Sequence, residues 1–96
     1  MLTKRRAGLG KVRVGFSLPP EIDAECAAVC GDFTEWKPDK TMKRAKDGRW
    51  KVSVALDAGR SYRFRYLLDG SRWENDWAAD GYVPNPFGTD DSVVTV

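Results

Sequence analysis

The sequence predicts an all-β chain folded as an antiparallel β-sandwich of about seven strands. Three observations carry this expectation. Apolar residues alternate with period two through most of the chain. Proline and Asp-Gly pairs break that alternation at short intervals. No segment is long and periodic enough for an amphipathic helix. At 96 residues, 42% hydrophobic and 31% charged, the chain can build one core, and this composition argues against global disorder.

The elements follow in order. "VRVGFSL" puts Val12, Val14, Phe16 and Leu18 on one face, and Pro19-Pro20 ends the strand because proline cannot donate to a ladder. "EIDAE" is a loop, and "CAAVCG" a short strand covered on both faces. "MKRAKDGRWKVSVAL" is a hairpin closed by a two-residue turn at Asp47-Gly48, with Trp50, Val52, Val54 and Leu56 facing inward. In "DAGRSYRFRYLLDG", Tyr62, Phe64, Tyr66 and Leu68 face the core while Arg63, Arg65 and Leu67 face out, and Asp69-Gly70 turns the chain. A short piece at Ser71 to Trp73 follows. The segment from Glu74 to Asp91 has no pattern of its own and is expected to be irregular, and "SVVTV" closes as a last strand.

Charge is uneven. Lys4, Arg5, Arg6, Lys11 and Arg13 stand in the first 13 residues with no acid, which leaves the remainder at a net −3. Residues 1–10 are expected to be a flexible basic N-terminal arm and residues 11–96 the folded domain, and such an arm is one route to nucleic acid. No apolar run approaches the ~20 residues that span a bilayer, and no signal-like segment follows the basic start, so the expectation is a cytoplasmic protein without a membrane partner. On a strand, Cys26 and Cys30 would lie about 13 Å apart. That is too far for a disulfide, and both are expected to be small buried apolar groups.

Catalytic parts are scarce. With no histidine, neither a nucleophilic triad nor an ordinary zinc site can be assembled. Glu74 with Asp76 is the nearest thing to a carboxylate pair, and Asp76, Asp80, Asp90 and Asp91 the nearest to a calcium cluster. The expectation is no enzyme, no metal and no cofactor. What remains is aromatic residues outside the alternating faces: Trp36, Trp73, Trp77 and Phe87. Such rings either fold back on the sandwich or form a platform. A pyranose offers a C–H face to an aromatic ring and hydroxyls to Arg, Asn and Asp. A protein partner or single-stranded nucleic acid would also use exposed rings.

Four motifs in fixed order sharpen the choice: "GDFTEWKP", then "MKR" with "DGRW", then "YRFRYLLDGSRW", then "NPFGTDDSVVTV". Together they resemble the isoamylase-type early-set domain. This is the immunoglobulin-like glycogen-binding module of glycogen-branching enzymes and of the AMP-activated protein kinase β subunit, and it also occurs as a stand-alone bacterial form. The resemblance covers roughly residues 10–96 and implies an immunoglobulin-like sandwich that binds α-glucans such as glycogen, starch or malto-oligosaccharides without catalysis. It implies stacking by Trp36 and Trp73, hydroxyl contacts from Arg65, Thr89 and Asp91, and Phe87 against the curve of the glucan. Arg65 stands where the family has lysine and Asp91 where it has asparagine. Trp77 replaces the family's proline and offers a possible third ring. A glycogen-metabolising enzyme is an implied partner. The alternative is a protein-interaction or self-association module that keeps the fold without the glucan.

Overall fold

The computed structural model describes residues 1–96. In chain order the strands are β1 (Leu2–Gly8), β2 (Lys11–Ser17), β3 (Ala27–Gly31), β4 (Lys40–Thr41), β5 (Lys43–Arg44), β6 (Trp50–Asp57), β7 (Ser61–Leu68), β8 (Arg72–Glu74), β9 (Gly81–Pro84) and β10 (Asp90–Thr95). A 3-10 turn, Asp32–Thr34, follows β3. Sheet A has the order β1-β2-β6-β5 and sheet B the order β4-β3-β7-β10-β9, with β8 paired to the last residues of β7. All pairings are antiparallel, and the two sheets repeat the A-B-E-D and C-F-G orders of an immunoglobulin-like sandwich.

The alternating faces meet between the sheets. Val14, Phe16 and Leu18 of sheet A and Tyr62, Phe64, Tyr66 and Leu68 of sheet B are buried. Phe16 and Phe64 lock the layers in an edge-to-face contact with ring centroids 5.0 Å apart. Phe33, from the 3-10 turn, stacks on Phe16 at 5.6 Å. Tyr66 donates to Asp76 Oδ2 at 2.6 Å, and Asp76 N donates to Ser92 Oγ at 2.9 Å. Tyr82 donates to the Asp76 carbonyl at 2.6 Å, so one polar knot fastens the 75–82 segment to the sandwich. Burial, with the Asp76 charge, pushes the Tyr66 phenol far above its ordinary range.

Four expectations need correction. Residues 1–10 are not an arm: Leu2 to Arg6 pair with β2 in register, Arg5 opposite Arg13, and after a shift in register Gly8 pairs with Lys11. The left-handed Gly8, Leu9 and Gly10 close that hairpin, and the strand covers a sheet edge that β2 would otherwise leave open. The 74–91 segment is not wholly irregular, since Gly81–Pro84 pairs with β10 as an edge strand where Pro84 is tolerated. The β5–β6 turn is longer than two residues: Ala45 N donates to Arg49 O at 2.7 Å, and Gly48, not Asp47, takes the left-handed conformation. Cys30 is buried but Cys26 is exposed, because β3 begins one residue after it. The Asp69-Gly70 turn that follows β7 does match expectation in kind, with both residues left-handed.

Two predictions follow from this packing. Trp50 is buried under the Arg44 guanidinium, 5.6 Å from its ring centroid. Trp50→Ala should lower the unfolding free energy by about 3–5 kcal/mol in urea denaturation. Asp69 Oδ1 accepts from Glu25 N at 2.8 Å and Cys26 N at 3.1 Å, and these bonds hold its carboxyl below its ordinary value of 3.8. A depressed folded-state value gives stability that is present above the ordinary one and lost as the pH falls below it. Denaturation at neutral and at acid pH should therefore show a smaller acid loss in Asp69→Asn than in the parent chain.

Candidate functional site

The stretch from Gly31 to Trp36 shows how a strand end carries a side chain to the outer surface. A Cβ on Gly31 would collide with the Arg63 carbonyl and come within 2.9 Å of the Phe33 ring, so only glycine lets β3 run this close to β7. Thr34 Oγ1 accepts from Gly31 N and donates to Gly31 O, both at 3.1 Å, closing the turn on itself. Glu35 and Trp36 are both left-handed, at φ 54° and 61°, and Trp36 N returns to Gly31 O at 2.9 Å. The chain thus doubles back and delivers the indole to the outer face of sheet B. Asp32 fixes it there: Oδ1 accepts from Trp36 Nε1 at 3.2 Å, and Oδ2 from Arg63 N at 2.9 Å.

The facing wall is built from β7 and β8. Alternation along β7 turns Arg63 and Arg65 outward, and the register Leu67↔Trp73 brings the second indole beside them. The Trp36 and Trp73 centroids lie 6.5 Å apart with an interplanar angle of 64°. The two rings therefore form an angled cradle and not a coplanar strip. Trp36 is half-buried and Trp73 is 45% exposed. The Arg65 guanidinium lies 6.0 Å from the Trp73 centroid and makes no ion pair, and its Nε has no hydrogen-bond partner.

A loop from β9 to β10 makes the third side. Asn85 Oδ1 accepts from Phe87 N at 3.0 Å and Thr89 N at 3.2 Å, while its Nδ2 donates to Thr89 Oγ1 at 2.8 Å and Asp91 Oδ1 at 3.1 Å. With Gly88 left-handed, this knot thrusts Phe87 into solvent, 88% exposed. Asp91 is buried, and its second oxygen lies 3.9 Å from Arg63 Nη1.

An open groove of about 920 Å³ joins these three sides. It gathers Trp36, Arg65, Trp73, Phe87, Thr89 and Asp91, all singled out in the sequence, from five separate strands and loops. Trp77 is not among its walls: it is 60% exposed and donates from Nε1 to Glu74 Oε1 at 3.2 Å. Asp32, Arg63 and Asn85 line the groove and were not foreseen. Arg63 had a visible signal, since it shares the outward face of β7 with Arg65. Asp32 and Asn85 act through local turns, and no periodicity marks them.

The chemistry on offer is narrow. Both Asp32 oxygens are committed, and one Asp91 oxygen already takes the Asn85 amide. No group of three or more His, Cys, Asp or Glu side chains converges anywhere in the molecule: Asp76 bonds Tyr66, Asp80 bonds Lys4 and Asp91 bonds Asn85. The groove presents ring faces, two guanidinium forks and the Thr89 hydroxyl, a set suited to a ligand with an apolar face and a rim of acceptors. No protein-family model matches the chain, and no curated protein matches it.

Gly31→Ala should destabilise the fold by about 1–3 kcal/mol, because the strand must move off β7 to admit the methyl group. Thermal melting measures the loss, and Trp36 fluorescence should shift with it.

Proposed function

We propose that the groove binds an α-linked glucan, without catalysis, by stacking on Trp36 and Trp73. The angled pair of indoles beside a free guanidinium carries this reading. A helical α-glucan turns between successive residues, so two rings inclined at 64° suit its curve better than a flat shelf would. Arg65 donates to sugar hydroxyls, and its planar fork can bridge two of them, which a lysine cannot. Phe87, 88% exposed on its Asn85-built loop, fills the concave side of the bound chain. Thr89 has a hydroxyl proton free to donate, because its oxygen accepts from Asn85. Asp91 is buried and acts through Asn85 and Arg63 more than by direct contact. The four motifs that resemble the early-set glycogen-binding module supply most of these residues.

Burying each indole against a sugar contributes about 1.5–3 kcal/mol. Two rings, less the ordering cost, place binding at about −4 to −8 kcal/mol, millimolar to micromolar. Glycogen cast into a native gel should retard the protein. Trp36→Ala and Trp73→Ala should each abolish the retardation while circular dichroism shows a folded chain. Retardation that survives both changes rejects the groove as the site. No retardation, together with a dimer by light scattering, rejects the glucan and leaves Phe87 as the anchor of a self-association surface.

A further inference from the structure

The opposite side of the sandwich has a character of its own. The strands of sheet A carry eight of the sixteen Lys and Arg residues and one of the fourteen acids, Asp57. On its outward face Arg5 lies directly opposite Arg13, and Lys43 directly opposite Lys51. These two cationic rows are about 13 Å apart, four residues along a strand. Between them runs a row of small residues, Thr3, Gly15 and Ser53. A Cβ on Gly15 would collide with Thr3 Oγ1, so the glycine keeps this row low and the face flat. Arg5, Arg13 and Lys43 make no ion pair, while Lys51 reaches Asp47 at 3.1 Å and Lys11 pairs with Asp57.

Like charges in directly opposed positions destabilise a sheet, so the fold gains nothing from them. Cations on an edge strand discourage edge-to-edge pairing, and this accounts for β1. It does not account for Arg13 and Lys51, which stand on the inner strands β2 and β6.

Leu9 is the second observation. It occupies the tip of the β1–β2 hairpin, 103% exposed, at φ 52° between two left-handed glycines. A leucine is strained in that conformation, where asparagine or glycine is at ease. It touches no core residue, so neither backbone nor packing explains it. Arg6 and Lys11 flank the tip, and the Arg5–Arg13 row follows one step behind.

The geometry points to an anionic lipid surface as the ligand of this face, with Leu9 entering the boundary between headgroups and acyl chains and the cations lying against the headgroups. Lys and Arg near an anionic leaflet are each attracted to it, and an apolar tip adds burial. A nucleic acid fits less well. The exposed aromatics belong to sheet B and its loops, so single-strand bases have nothing to stack on, and a duplex backbone has no use for Leu9. No helix is long and apolar enough to cross a membrane, and docking of this kind needs none. The glucan groove opens on the other sheet, so both ligands can be held at once.

Cosedimentation with vesicles tests the inference. The full chain should pellet with phosphatidylcholine vesicles containing phosphatidylserine, not with phosphatidylcholine alone, and added salt should release it. Reversing Arg5 and Arg13 to glutamate should weaken binding at least about tenfold. Leu9→Asn should weaken it roughly tenfold while the melting temperature holds or rises, which separates lost docking from lost folding. Equal binding to neutral vesicles, or none to anionic vesicles at low salt, overturns the proposal. Binding to duplex DNA that falls with the Arg changes and ignores Leu9→Asn overturns it in favour of a nucleic-acid face.

Discussion

β3 approaches β7 at Gly31 too closely for any side chain to stand between them, and the groove is built outward from this contact. Because no side chain separates Gly31 from the Arg63 carbonyl, the 3-10 turn can begin while the chain is still hydrogen-bonded to its neighbour. From there the residues divide by function. Phe33 drops inward onto Phe16 and Tyr62, anchoring the turn to the core. Asp32 stays outside and binds β7 through Arg63 N while it orients the Trp36 indole. One carboxylate therefore ties the Trp36 turn to a central strand, and charge assistance makes such bonds stronger than neutral ones. Two consecutive left-handed residues, neither a glycine, are the cost of reversing direction so abruptly.

The two sheets solve the same packing problem and present different outer surfaces. Sheet B turns rings and guanidiniums outward over a floor made by β7 and β10, and the acids near it are engaged in hydrogen bonds. Sheet A turns cations outward over a flat face, and Arg5, Arg13 and Lys43 among them make no ion pair. In a chain with a formal net charge of only +2, this is a segregation of charge and not an excess of it. It is invisible in the total and only partly visible along the sequence. The basic run at residues 4–13 becomes half of a surface when β1 is zipped to β2, and Lys43 and Lys51 complete it from the far side.

What could be foreseen in the sequence follows the same physics. β2, β6 and β7 were legible because each has one face in the core, and burial imposes period two on their residues. β1 was not, because it is exposed at nearly every position and pairs through its backbone. Nothing in an edge strand of that kind forces an alternation. β9 was missed for a related reason: it is four residues long and carries a proline that reads as loop. In the groove, Trp36 and Trp73 stood out because large rings lay off the core faces. Their mutual angle did not, since it depends on two reversals and a strand register acting together. Asn85 has the sequence signature of an ordinary loop residue, although its amide satisfies four partners that shape the Phe87 loop.

The polar knot around Asp76 explains why so short a sandwich can hold a long excursion between β8 and β10. The segment has few apolar side chains to bury, so packing alone would leave its path open. Asp76 instead accepts from Tyr66 in the core and from Ala78 N at 2.8 Å, while its own N–H goes to Ser92. Asn75 Nδ2 reaches the Asp90 carbonyl at 2.8 Å, and Ser92 Oγ donates to Asn75 Oδ1 at 2.8 Å. The end of β8, which carries Trp73, is thereby fixed to the start of β10, which carries Asp91. A buried carboxylate with directional partners is satisfied by one arrangement and costly in any other. An apolar residue at position 76 would tolerate many paths. Directional bonding, more than burial, sets the distance between the tryptophan wall of the groove and its Phe87 wall.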